Sequence, residues 1–408
     1  MAHRATPAFS PVRRMSGVAP GLTEIQHTTL AYILVWCEMD RIQVRWRESV
    51  LYSEWSWHQL APYIGKMKSS MAKGLVDQFT APADMVYDPF CGAGTVALEA
   101  WIAGRHVIAG DLNPYAYVLS AGKLRPPRDV SEAVRRLDVC WSEAATERDA
   151  VDLRQVPVWV RRFFHPETLR EVLAIRGVLL RHRQWFLLCC LLGILHHWRP
   201  AFLSHPASHT VPYLMRNRYP PDKYPEKYAY KEVYPRLLAK VRRAFVRHPP
   251  VNRGLVRRAK LSDAMMPDAI VNGSGVSAII TSPPYMNSLS YARDNRLRLW
   301  FLGVADVRSL EPIVSPRKAR FLAMMRSLLP AWSGLLPKDG PCVLVLGAVK
   351  PDGKYYDLPA EIVRLVRDLR CGLHVTTVCK NAIPDRRRTR GNCCSTREDT
   401  ILVLRKGK

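Results

Sequence analysis

The spacing of hydrophobic and polar positions changes along the chain and predicts two kinds of element. Short apolar runs that end in polar residues, glycine or proline indicate strands of a buried sheet. These runs are residues 85–87, 107–109, 276–281, 342–346, 374–378 and 400–404. Apolar residues at helical spacing lie between them, at about 22–50, 96–101, 316–336 and 359–369. Strands therefore alternate with helices over much of the chain.

This order of elements predicts an α/β protein with a Rossmann-like, doubly wound sheet and a helical insertion subdomain. Residues 85–111 form one strand–glycine turn–helix–strand unit, which is half of such a sheet. Long amphipathic helices follow, and they are too extended and too regular to be a loop. The predicted division is a mobile leader at 1–20, N-terminal helices and the cofactor-binding half of the core at 21–124, the helical insertion at 125–250, and the catalytic half of the core at 251–408. The insertion is the candidate region for recognising a DNA target.

The charge balance adds a prediction about the partner. The chain has 61 Lys and Arg residues against 35 Asp and Glu residues, a formal net charge of +26. Such an excess favours a polyanionic partner, because neutralising phosphates and releasing their counterions supplies most non-specific affinity for nucleic acid. The alternative is a solvated basic surface without a binding role.

Cysteine usage and hydropathy predict the compartment. Ten cysteines in 408 residues are not dense, and no CxxC pair with zinc-binding spacing is present. His196, His197, His205 and His209 have no nearby acid or cysteine to complete a site, so we expect no metal. The longest apolar stretch, residues 185–195, is too short to span a bilayer. We therefore expect a soluble cytoplasmic protein with free thiols and no membrane contact.

A glycine turn follows the first predicted strand. Its residues are Asp88, Pro89, Phe90, Cys91, Gly92, Gly94 and Thr95. Glycines in this position let the backbone approach a ligand, and the next helix offers its N-terminal N–H groups. Asp111, at the end of the following strand, can accept hydrogen bonds from ribose hydroxyls. The turn is not GxGxxG, so an adenosine-bearing cofactor fits better than a nicotinamide dinucleotide; a plain tight turn is the alternative.

A second motif, Ser282-Pro283-Pro284-Tyr285, ends the strand predicted at 276–281. The prolines constrain the backbone and leave their carbonyls free to accept hydrogen bonds. A hydroxyl acceptor and an aromatic plane stand beside them. This set suits an exocyclic amine that is held by acceptors while its ring stacks on the tyrosine. The alternative is a proline-kinked strand end, which the presence of the glycine turn in the same chain disfavours.

Together, DPFCGAGT, GDLNP and TSPPY resemble the S-adenosylmethionine-dependent DNA amino-methyltransferases, the family that modifies cytosine N4 or adenine N6. The resemblance covers the sheet-forming parts, roughly 60–124 and 255–408. It implies S-adenosylmethionine as cofactor, with the glycine turn as the cofactor loop and Asp111 at the ribose. It also implies Asp263 near the cofactor adenine and Tyr63 in the segment that lines the methionine end, although Met67 stands where the family more often has Phe.

The chemistry that the resemblance implies agrees with the residues. Acceptors at Ser282 and the Pro283 carbonyl would draw the amine hydrogens out of the ring plane, while Tyr285 would stack on a base flipped from the duplex. Serine in the first position resembles the cytosine-N4 enzymes, so we predict a site-specific DNA methyltransferase acting on cytosine N4. Adenine N6, an RNA methyltransferase and a non-catalytic nucleic-acid-binding relative are the alternatives. Pro341-Cys342 matches the dipeptide of C5-cytosine enzymes but indicates the start of a core strand.

Two basic clusters are candidates for nucleic-acid contact. In the insertion, Arg216, Arg218 and Lys223 are interleaved with tyrosines, and Arg386, Arg387 and Arg388 stand on a predicted loop. Basic groups of this kind track phosphates and the aromatic groups stack on bases or pack internally. We predict double-stranded DNA as the partner and association with the nucleoid. The family resemblance adds a cognate restriction endonuclease, which no residue here encodes.

Overall fold

The computed structural model describes Ile42 and residues 54–197, 202–208, 211–267, 271, 273, 275–284, 290–314, 317–347, 356–382 and 398–407. All of these residues belong to one unit, Ile42–Lys408. Several predicted features lie outside the described residues: the leader at 1–20, all but Ile42 of the helix predicted at 22–50, Tyr285, and the cluster Arg386, Arg387 and Arg388.

Seven strands form a single sheet in the order β3-β2-β1-β4-β5-β7-β6. The strands are β1 (Met85–Asp88), β2 (His106–Asp111), β3 (Arg257–Leu261), β4 (Ala278–Thr281), β5 (Pro341–Gly347), β6 (Leu373–Ala382) and β7 (Glu398–Lys406). Strands β1 to β5 are parallel, and β7 is antiparallel to both of its neighbours, β5 and β6. The chain order reverses between β1 and β4, which confirms the predicted doubly wound α/β sheet.

Helices surround this sheet and connect its strands. They are α1 (Ser69–Phe79), α2 (Thr95–Ile102), α3 (Pro114–Leu124), α4 (Val130–Glu147), α5 (Val158–Arg161), α6 (Pro166–Arg181), α7 (Trp185–Ile194), α8 (Val233–Phe245), α9 (Tyr291–Asp294), α10 (Arg296–Trp300), α11 (Val307–Val314), α12 (Lys318–Leu335) and α13 (Leu358–Leu369). Within the described part of the chain, no helix has the length and apolar character needed to cross a membrane.

The strands bury both faces, because alternate side chains pack into two different cores. Val86 and Val107 point to the core formed with α1 to α8, whereas Tyr87 and Ile108 point to the core formed with α12 and α13. Every residue of β5 is buried. This two-sided burial explains why the strands appear in the sequence as continuous apolar runs and not as an alternating pattern.

The region between α3 and β3 contains five helices, α4 to α8. Helix α7 is buried over nearly its whole length and packs against α3, so the same core continues from the sheet into this region. The basic residues here do not all face solvent. Lys231 is buried, and its Nζ donates to the carbonyl oxygens of Ser204 and Lys227. A basic pattern in the sequence therefore overstates the charge that this region presents on its surface.

Candidate active site

A cleft opens at the carboxyl ends of β1, β2 and β4. The predicted site residues that line it are Tyr63, Asp88, Pro89, Phe90, Cys91, Gly92, Thr95, Asp111, Asp263, Ser282 and Pro284. Gly94 and Pro283 belong to the same two segments but are not part of the lining. Residues that lie far apart in sequence thus meet in one place, because parallel strands bring their carboxyl ends to the same edge.

The glycine turn after β1 is held in a backbone conformation that glycine favours. Gly92 has φ +47° and Gly94 has φ +67°, both in the left-handed region. The turn docks on β2, since the Cys91 N–H donates to the Gly110 carbonyl over 3.0 Å. Gly94 also lies close to α3: a Cβ there would stand 2.6 Å from Ser120 Oγ. Both conformation and space therefore require glycine at position 94.

Asp111 at the end of β2 ties this turn to the start of α3. Its Oδ2 accepts from the Gly92 N–H at 2.8 Å, and its Oδ1 accepts from the Asn113 N–H at 2.9 Å. Burial raises the pKa of the Asp111 carboxyl to about 6, although these backbone hydrogen bonds act in the opposite direction. The residue predicted to hold a ribose therefore also positions the loop that would face the cofactor.

Thr281, the last residue of β4, joins β4 to the turn after β1. Its hydroxyl donates to Asp88 Oδ1 at 2.7 Å and accepts from the Phe90 N–H at 3.2 Å. Burial raises the pKa of Asp88 to about 7, and the hydrogen bond from Thr281 acts against that rise. Sequence reasoning did not single out Thr281, although it stands directly before Ser282 in the motif TSPPY.

Ser282 is fixed by the neighbouring strand β5. Its Oγ–H donates to the Val345 carbonyl at 3.0 Å. A hydroxyl that donates in this way can still accept through its oxygen lone pairs. Cys342 lies on the same strand β5, where it is fully buried in the sheet, and burial raises the pKa of its thiol. The interpretation of Pro341-Cys342 as a core strand is confirmed.

Two further residues of the cleft region escaped the sequence analysis. Tyr291, at the start of α9, lines the cleft and stacks on Tyr63 with ring centroids 6.1 Å apart. Lys123, on α3, is buried and donates through Nζ to the Ala93 carbonyl of the glycine turn. Burial lowers the pKa of Lys123 to about 7. The only sequence signal for Lys123 is a single cation within an otherwise apolar helix.

Three of the basic residues predicted to contact nucleic acid lie in the described part of the chain, and none of these three lines the cleft. Arg216, Arg218 and Lys223 are exposed on the segment between α7 and α8. The guanidinium of Arg218 lies over the Tyr219 ring, 5.6 Å from its centroid. These three side chains are available to a partner, and their phosphate contacts stay a prediction.

The comparison with protein families finds a match in the part of the chain that builds this cleft. A family described as "UPF0020: RMKL-like, methyltransferase domain" matches residues 58–151. The matched stretch includes Tyr63, the glycine turn and Asp111. The chain contains a methyltransferase domain. This confirms the coarser part of the predicted resemblance, while the DNA amino-methyltransferase subtype stays a prediction. A comparison with the curated proteins gives no match.

Three solved structures are similar to this chain, and two of them are named as methylating enzymes. TrmN from Thermus thermophilus is 13% identical over 84% of this chain and 50% of its own, with a TM-score of 0.31. The rRNA methyltransferase aviRa from Streptomyces viridochromogenes is 12% identical over 84% and 87%, with a TM-score of 0.32. A candidate DNA modification methylase from Thermus thermophilus is 21% identical over 36% and 51%, with a TM-score of 0.23. This chain spans half the length of TrmN. All three TM-scores are below 0.5, so these similarities give no information about the substrate of this chain.

Proposed function

We propose that the protein transfers a methyl group from S-adenosylmethionine to an exocyclic amine of a nucleic-acid base, with cytosine N4 in double-stranded DNA as the substrate. The observation that carries the proposal is the position of Ser282. It lines the same cleft as Gly92 and Asp111, and its hydroxyl is oriented by Val345. An acceptor for an amine and a candidate cofactor loop therefore face one space.

The donors and acceptors of the cleft fit S-adenosylmethionine. Asp111 at the end of β2 and Asp263 in the loop after the neighbouring strand β3 offer carboxylates, which suits ribose hydroxyls and an adenine amine. The glycine turn presents backbone at close range, and the Tyr63 ring lies beside Gly92 and adds an aromatic face. When bound, the cofactor supplies an electrophilic methyl group on a sulfonium. The residues of the chain hold it, exclude water and orient the amine.

The mechanism follows from the weak nucleophilicity of an exocyclic amine, whose lone pair is delocalised into the ring. Ser282 Oγ donates its own hydrogen to Val345, so its oxygen meets the substrate as an acceptor. It would accept an amine hydrogen and turn the lone pair toward the methyl group. The Pro283 carbonyl, predicted to accept the second hydrogen, belongs to a residue outside the lining of the cleft. The reaction would be an in-line displacement without a covalent enzyme intermediate: the nitrogen–methyl bond forms as the sulfur–methyl bond breaks, a neutral thioether leaves, and the amine gives up one proton to solvent. Positioning would supply most of the rate.

The choice of substrate rests on charge and on the first residue of the tetrapeptide. A net charge of +26 favours a nucleic acid, and charge does not separate DNA from RNA. Serine in the first position favours cytosine N4 over adenine N6 through the family resemblance. Adenine N6 in DNA is the second candidate, and a base in RNA is the third. A cognate restriction endonuclease belongs to the first two candidates only.

Nucleoside mass spectrometry tests the proposal directly. DNA and RNA from cells that express the wild type, Ser282→Ala or Ser327→Ala are digested and scanned for methylated bases. Ser327 is an exposed serine on α12 whose hydroxyl bonds within its own helix, so Ser327→Ala is the matched control. We expect N4-methylcytosine in DNA from the wild type and the control. We also expect a loss of about 10²-fold in rate for Ser282→Ala, the effect of removing one preorganised polar contact.

Three results would contradict this expectation. Ser282→Ala that methylates at the wild-type rate removes Ser282 from the mechanism. A wild type that binds S-adenosylmethionine in calorimetry but marks neither DNA nor RNA favours a non-catalytic binding protein. N6-methyladenine, or a methylated base in RNA, would keep the reaction and replace the substrate.

A further inference from the structure

Three side chains from distant parts of the chain form a cluster, two of them in the predicted insertion and one in the segment after β4. They are Trp159 on α5, Tyr213 on the segment after α7, and Arg296 at the start of α10. The Arg296 guanidinium lies 4.8 Å from the Tyr213 ring centroid and 5.9 Å from that of Trp159. Trp159 is 36% exposed and Tyr213 is 52% exposed. We call these three residues the aromatic–arginine cluster.

The geometry of Arg296 is fixed by a backbone contact. Its Nη2 donates to the Pro212 carbonyl at 2.8 Å, next to Tyr213 in the sequence. Among the described residues it forms no ion pair with a carboxylate, so its guanidinium contacts one carbonyl oxygen and the faces of two rings. Scattered exposed aromatic residues are ordinary, but two of them joined by a held guanidinium form a preorganised π surface with positive charge.

The segments that carry the two rings are basic. Arg161 and Arg162 are exposed two and three positions after Trp159, and Arg216, Arg218 and Lys223 are exposed after Tyr213. Two carboxylates, those of Asp222 and Glu226, lie in the same segment, and Glu226 pairs with Lys227 at 3.3 Å. Cations therefore outnumber acids here. Aromatic faces among cations are the composition of surfaces that bind unpaired nucleic acid by stacking.

The cluster is also connected to the cleft. Tyr291 lines the cleft at the start of α9, and Arg296 begins α10, the next helix. The chain between their Cα atoms spans at most about 18 Å even when fully extended. That distance is a few nucleotides of a single strand. A substrate strand with its target base in the cleft can therefore reach the cluster with a nucleotide within a few positions of that base.

We propose that the aromatic–arginine cluster is a stacking platform for an unpaired nucleotide that flanks the target base in the substrate strand. The inference rests on the proposed function, because it takes the cleft as the place of the target base. Trp159 and Tyr213 supply the ring faces, Arg296 holds them in position and adds charge, and the surrounding arginines contact phosphates. The platform stabilises the strand after the base has left its partner.

Binding of labelled oligonucleotides to the full-length protein tests this assignment. Fluorescence anisotropy is measured with one fluorescein-labelled sequence as single-stranded DNA, as a fully paired duplex, as a duplex with an unpaired internal loop, and as RNA. We expect Trp159→Ala and Tyr213→Ala each to weaken binding of the probes with unpaired bases by about 5- to 100-fold, which corresponds to about 1–3 kcal/mol per stacked base. The fully paired duplex should change by less than about twofold.

The variants are chosen so that stacking is separated from charge and from folding. Trp159→Ala and Tyr213→Ala remove no cation, so the slope of affinity against salt concentration should stay unchanged. Arg296→Lys keeps the charge but loses the planar group, and it should lose most of the same affinity. Arg367→Ala, an exposed arginine on α13, is the control for charge alone. Thermal denaturation by circular dichroism checks that every variant is folded.

Each of the following outcomes would overturn a stated part of the proposal. Wild-type affinity in the folded Trp159→Ala and Tyr213→Ala variants would overturn the platform. So would an equal loss for paired and unpaired probes, because the cluster would then contact the backbone. Arg296→Lys with wild-type affinity would show that only charge acts. A wild type that binds none of the four probes would overturn the proposed function as well, which separates that failure from failure of the platform alone.

Discussion

Replacing Gly94 by alanine tests whether the glycine turn is held as the structure shows. Gly94 has φ +67°, and its position is closed on the side of α3 by Ser120. A Cβ at this position would stand 2.6 Å from Ser120 Oγ and 3.0 Å from Ser120 Cα. The first atom can turn away, but the second belongs to the backbone of α3. Alanine therefore meets both an unfavourable backbone conformation and a steric conflict.

The expected cost follows from these two terms. The left-handed conformation costs a non-glycine residue about 1–2 kcal/mol. Inserting a methyl group into a filled space costs about 1–3 kcal/mol. Gly94→Ala should therefore lose about 2–5 kcal/mol of unfolding free energy. Against a total stability of about 5–15 kcal/mol this is a large loss, visible as a lower midpoint in urea denaturation followed by circular dichroism.

Gly92→Ala is the matched comparison, because it lies two positions away in the same turn. Its φ is +47°, and the nearest atom to an added Cβ is Tyr63 Cε1 at an ordinary 3.4 Å. Only the conformational term of about 1–2 kcal/mol applies. Gly92 lines the cleft and Gly94 does not. We therefore expect Gly92→Ala to lose more affinity for S-adenosylmethionine in calorimetry, and Gly94→Ala to lose more stability.

A double variant isolates the steric part. Ser120→Ala removes the hydroxyl that would be 2.6 Å from the new Cβ but leaves Ser120 Cα in place. In the Gly94→Ala background it should restore about 1 kcal/mol, as a coupling between neighbouring residues does. Equal stability losses for Gly92→Ala and Gly94→Ala, together with no coupling to Ser120→Ala, would refute the packing described between the turn and α3.

Two pH dependences follow from the buried charges of the site. The pKa of the Asp111 carboxyl is raised to about 6, and this group accepts hydrogen bonds most strongly when it is ionised. Affinity for S-adenosylmethionine, measured by calorimetry, should therefore fall below pH 6 by up to about tenfold per pH unit. An affinity that does not change from pH 8 to pH 5 would contradict this. The pKa of Lys123 is about 7 in the folded protein, against an ordinary value of 10.5. Between pH 7 and 10.5 the unfolded chain therefore binds more protons than the folded protein, and the stability of the wild type should rise with pH. In urea denaturation at pH 7 to 9, Lys123→Met should lack this rise in unfolding free energy, which is up to about 1.4 kcal/mol per pH unit. Equal slopes for the two proteins would show that folding does not lower the pKa of Lys123.

The parts of the site that follow from local sequence were predictable. The first strand, the glycine turn and α2 are neighbours in sequence, so strand patterning and turn chemistry determine them together. Asp111 ends the next strand by the same rule. Asp263 lines the cleft from the loop beyond β3, which ends at Leu261, so the strand-end rule does not place it. Hydropathy does not fix the last residue of a strand at the sheet edge.

Other contacts depend on packing between distant elements and leave no local pattern. Thr281 reaches Asp88 only because β4 lies beside β1, and Lys123 reaches Ala93 only because α3 packs behind the turn. Lys231 shows the opposite error. It stands in a basic stretch that suggests a solvated surface, yet two carbonyl groups satisfy its ammonium inside the protein. A charged residue therefore indicates an exposed position only where no buried hydrogen-bond acceptors can satisfy its charged group.

The sheet order explains how this chain can carry a long insertion without separating its two motifs. The cleft forms at the reversal between β1 and β4, which are direct neighbours although nearly 200 residues lie between them. The insertion leaves after α3 and returns at β3, the edge strand, so its length does not alter the contact between β1 and β4. Its helix α7 nevertheless packs on α3, which carries Ser120 and Lys123 behind the turn. The outer surface of this helical region carries Trp159 and Tyr213, while its inner surface packs on α3 and supports the glycine turn.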